Sequence, residues 1–62
     1  MPIHDLASKT TPQGVVNAVW YDDEERNFVV QHEFLHLSFY EPDFMAFVET
    51  LVEAKSKFEE VK

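Results

Sequence analysis

Hydrophobic and polar positions change their period once along the chain, near residue 41. Before it, apolar side chains tend to alternate with polar ones, the two-residue period of strands. After it, they recur every three or four residues, the period of a helix. Residues 15–21, VVNAVWY, are rich in β-branched and aromatic types and lie between a glycine and an acidic cluster, which predicts a first strand. Residues 27–31, NFVVQ, predict a second. Residues 34–39, FLHLSF, predict a third, with Leu35, Leu37 and Phe39 alternating against Phe34, His36 and Ser38.

A turn at His32-Glu33 would pair Val30 with Leu35 and Phe28 with Leu37. An acidic turn before the second strand would pair Val19 with Phe28. Val19, Tyr21, Phe28, Val30, Leu35 and Leu37 then share one face. His-Glu is a poor turn pair, because two-residue hairpins prefer glycine or Asn-Gly.

From Pro42 onward, Phe44, Phe47, Val48, Leu51, Ala54 and Phe58 fall on one side of a helical wheel. Pro42 suits a first helical turn, where no N–H is needed. Glu41 and Asp43 complement the positive end of the helix dipole, and Lys55, Lys57 and Lys62 lie toward the negative end. Glu53 and Lys57 are spaced for an i,i+4 pair. The residues before Gly14 show no sustained period. The expected fold is therefore α+β: residues 1–13 as an irregular N-terminal arm, and residues 14–62 as a single βββα domain. In it a small antiparallel three-stranded sheet is followed by one long C-terminal amphipathic helix packed on one sheet face.

This pattern leaves apolar surface over. Val16, Ala18, Trp20, Val29 and Phe34 fall on the sheet face away from the helix, and Met45 and Val52 widen the helix stripe. Antiparallel sheets usually keep one polar face, so these seven residues are the candidate interface. With 62 residues and no cysteine, the chain is marginal as an isolated fold and has no disulfide to support it. A second copy, or another protein, is the expected partner.

Charge narrows the classes. The net charge is -7, with a single arginine, which disfavours nucleic acid and anionic membranes. No apolar run approaches a membrane span, and no signal peptide is evident, so a cytoplasmic location is the expectation. Asp22, Asp23, Glu24 and Glu25 form an acidic surface, which allows a second reading: an acidic inhibitor or decoy for a basic protein surface.

One motif could carry chemistry. His32-Glu33-Phe34-Leu35-His36 resembles the zinc-metalloprotease signature H-E-x-x-H. The resemblance implies two imidazoles on one helix face holding zinc, and a glutamate activating the bound water. Glu41, Glu49 or Glu53 would have to supply a third ligand. The motif lies within a strand pattern, and on a strand His32 and His36 stand roughly 13 Å apart. A zinc hydrolase is thus the weaker alternative, with His32 and His36 as its metal residues. The main expectation is a non-catalytic interaction or regulatory domain with no cofactor.

Overall fold

The computed structural model describes residues 2–62. Four strands, β1 (Ile3–Thr10), β2 (Val16–Asp22), β3 (Asn27–His32) and β4 (Leu35–Phe39), precede one helix, α1 (Glu41–Val61). The strands form an antiparallel meander in sequence order.

The α+β class and the C-terminal helix match the sequence expectation; the strand count does not. Residues 3–10 are not an irregular arm but the edge strand β1, paired along β2 from Ile3↔Asp22 to Thr10↔Val16. Leu6 is skipped between Asp5 and Ala7 in a β-bulge, which breaks the alternation that would have marked the strand. Thr11 closes the β1–β2 connection: its carbonyl accepts from Gly14 N–H at 2.9 Å and its Oγ1 from Val15 N–H at 3.1 Å. Gly14 supplies a φ of 87° there, a conformation that costs glycine little.

The register also differs. The last hairpin turns at Glu33-Phe34, so that His32 faces Leu35, Val30 faces Leu37 and Phe28 faces Phe39. Val19 faces Val30, not Phe28. Both pairings are displaced by two residues from the expected ones. A displacement by two preserves which face each side chain occupies, so the expected grouping of Val19, Tyr21, Phe28, Val30, Leu35 and Leu37 stands. Glu33 has a φ of 56° and Phe34 has no positive φ, the pattern of a II′ turn, which favours glycine at its first central position.

Tyr40 is the N-cap of α1, extended and without a side-chain cap, and Pro42 lies in the first turn. The Lys62 N–H closes the other end on the Phe58 carbonyl at 3.1 Å. Glu53 and Lys57 do not pair; the ion pair on the helix is Lys62 with Glu59 at 3.6 Å.

The helix covers less of the sheet than expected. It approaches only β3 and β4, through its N-terminal half: Phe44 stacks on Phe28, and Phe47 on Phe39. At 1.5 Å per residue its 21 residues span about 31 Å, while the β3 ladder spans only about 14 Å between the Phe28 and His32 rows. The distal half therefore projects past the sheet. The Cα radius of gyration is 13.2 Å, against about 10.5 Å for a compact chain of this length.

Candidate interaction surface

Four strands side by side make a sheet wide enough for two helices, and this chain carries one. Its helix-side face is therefore divided. Over β3 and β4, a row of aromatic rings packs together: Tyr21 meets Phe28 at 4.7 Å between centroids, and Phe28 meets Phe44 at 4.1 Å. Over β1 and β2 the same face carries no helix. The result is an open cleft of about 530 Å³ between α1 and the sheet, lined by Ala7, Val19, Val30, Leu35, Leu37, Phe47 and Leu51 among others. One end of the cleft is polar: there His32 Nδ1–H donates to Asn17 Oδ1 at 2.6 Å, and Lys9 is paired with Asn17 across the strands.

No side chain among the described residues is fully buried. The accessible surface is 5267 Å². A folded monomer of 7.3 kDa is expected to expose about 4,200 Å². The excess of roughly 1,100 Å² exceeds the ~800 Å² that each partner contributes to a standard stable interface.

The residues expected to form the interface are dispersed. Ala18, Trp20 and Val29 occupy the sheet face away from α1, where Trp20 and Val29 are direct cross-strand partners. That face is not continuously apolar. Asp5 is paired with Trp20, Ser8 with Ala18, Ser38 with Val29, and His36 with Gln31. The His36 ring meets Trp20 edge-on at 6.0 Å. Phe34 is no part of it, standing 92% exposed at the tip of the last turn. Val16 is exposed at the start of β2, and Met45 and Val52 are exposed on α1. The larger apolar surplus lies on the helix side, where Leu35, Leu37, Leu51 and Phe58 are also exposed. Periodicity placed Leu35, Leu37 and Leu51 on the packing face; it carried no information on how far the helix would reach over them.

The acidic residues are partly engaged within their own turn. Asp22 Oδ1 accepts from the backbone N–H groups of Glu24 and Glu25 at 3.0 and 3.2 Å. Asp23 Oδ2 accepts from His4 Nε2–H at 2.6 Å, and the Asp23 N–H donates to the Pro2 carbonyl at 2.8 Å. The turn thus ties down the start of β1.

The H-E-x-x-H segment is extended. His32 ends β3 on the helix-side face, Glu33 is in the turn, and His36 lies in β4 on the opposite face against Trp20. The two imidazoles do not converge, and among the described residues no group of three or more His, Asp or Glu side chains is placed to hold a metal ion. No helix of the described residues is long and apolar enough to cross a membrane.

No protein-family model, curated protein or solved structure significantly matches this chain.

Proposed function

We propose that this chain is a small non-catalytic protein-interaction domain that completes its core by associating with a second copy of itself through the helix-side surface. The observation that carries the reading is the excess of accessible surface in a chain with no fully buried side chain, where Leu35, Leu37, Leu51, Phe58 and Val61 are among the large apolar residues exposed. Burial of apolar area is the main source of folding free energy, about 25 cal/mol per Å². A fold that leaves so much of it in water lacks an adequate core of its own. The open cleft and the projecting half of α1 are where that area is concentrated.

Size-exclusion chromatography with light scattering tests the reading. The expected mass is twice 7.3 kDa at micromolar concentration and above. A folded 7.3 kDa species throughout the accessible concentration range would reject it.

A further inference from the structure

Granted that self-association, the geometry points to one arrangement: we propose that the projecting half of α1 from a second copy lies antiparallel to α1, on the bare strip over β1 and β2. The inference rests on the dimeric reading and adds its architecture.

Width and length each favour it, and symmetry sets its direction. Two strands present a strip about 10 Å wide, which is the diameter of one helix with its side chains. Along the strands, the strip from the Asn17 row to the Tyr21 row measures about 14 Å. Residues 52–61, the part of α1 beyond the cleft residue Leu51, span about 15 Å. A two-fold axis near Leu51 therefore lays the projecting segment of each copy along the bare strip of the other.

The projecting segment has the right stripe. Phe44, Phe47, Leu51, Ala54, Phe58 and Val61 are spaced alternately by three and four residues, the seam of a helix that packs along its whole length. Within the chain, only the N-terminal half of that seam meets the sheet. Phe58 and Val61 are 61% and 80% exposed.

Symmetry fixes the direction, because a two-fold axis crossing α1 near Leu51 reverses the helix of the partner. The β2–β3 turn and the start of α1 occupy the same end of the sheet, because Asp22 faces Asn27 and Phe28 faces Phe39. The partner segment therefore enters over the Asn17 row and ends by the Tyr21 row. Lys55 and Lys57 flank its seam, while Glu53, Glu59 and Glu60 lie away from it.

The chain has no cysteine, so Glu60→Cys gives a unique attachment point on the outer side of the helix. A nitroxide there, on an unlabelled copy mixed with an isotope-labelled wild-type copy, should broaden the amide signals of His4 and Tyr21 more than those of His32 and Leu35. In parallel, Phe58→Asp, on the projecting seam, should weaken dimerisation by about tenfold or more, because it places a charge in the proposed apolar contact. A dimer whose broadening centres on Trp20 and His36, or on the β4 edge, overturns this arrangement and leaves self-association standing. So does a dimer indifferent to Phe58→Asp. A monomer overturns both.

Discussion

Phe44 of α1 lies flat on Phe28 of β3, with ring centroids 4.1 Å apart and planes within 2°. Tyr21 abuts the same Phe28 ring at 4.7 Å, and Phe39 and Phe47 stack beside them at 4.8 Å. This aromatic row joins the two layers, where the helix contacts β3 and β4. Stacked aromatics contribute beyond their area alone.

Phe44→Ala should therefore release the helix. A fully buried Phe→Ala change costs 3–5 kcal/mol, and the partial exposure of Phe44 puts the expected cost near the lower end, about 3 kcal/mol. Urea unfolding at fixed protein concentration measures it. The expected result is a lowered midpoint together with loss of the Tyr21 near-ultraviolet circular dichroism signal.

Leu51→Asp separates packing within the chain from assembly. Leu51 is 52% exposed and lines the cleft, so a charge there disturbs a single copy little. In a dimer with its axis near Leu51, the change places two carboxylates in an apolar contact. The expected outcome is a shift of the light-scattering mass toward 7.3 kDa, with helix content falling only as far as assembly supports it.

Glu33→Gly should stabilise the protein. Glu33 holds a φ of 56° in the β3–β4 turn, a conformation that costs a non-glycine residue about 1–2 kcal/mol. The greater freedom of glycine in the unfolded chain returns part of this, leaving a gain of roughly 0.5–1 kcal/mol. A higher urea midpoint, with β4 amides more slowly exchanging, is the expected result.

Zinc should find no shared site at His32 and His36, because the two rings lie on opposite faces of the sheet. In a titration followed by NMR, the two imidazoles should respond independently. His32→Ala should leave the response of His36 unchanged. A joint response at one equivalent, abolished by either substitution, would show the motif acting as its resemblance implies.

Much of the architecture could be read from residue order, for identifiable reasons. The helix was legible because Pro42, the acidic first turn and the apolar stripe agree. The face of each strand residue was legible because alternation survives a register displaced by two. The register itself was not, since it depends on a turn in which Glu33 takes a glycine-like conformation. β1 was hidden because IHDLASKT has few β-branched residues and its bulge at Leu6 breaks the alternation. Thr11, Pro12 and Gly14 did signal a turn, and a turn needs a strand on each side to make a hairpin. The exposure of the helix-side face was hidden for a different reason. Helical periodicity identifies the face that packs but not what it packs against, and here half of that face extends beyond the sheet.

The central claim, that self-association completes the core, is tested most directly by thermal unfolding followed by circular dichroism over a hundredfold range of protein concentration. A fold stabilised by its partner has a melting temperature that rises with concentration, and that rise is the result expected here. A single midpoint at every concentration, with the helix and sheet signals lost together from a 7.3 kDa species, would contradict it.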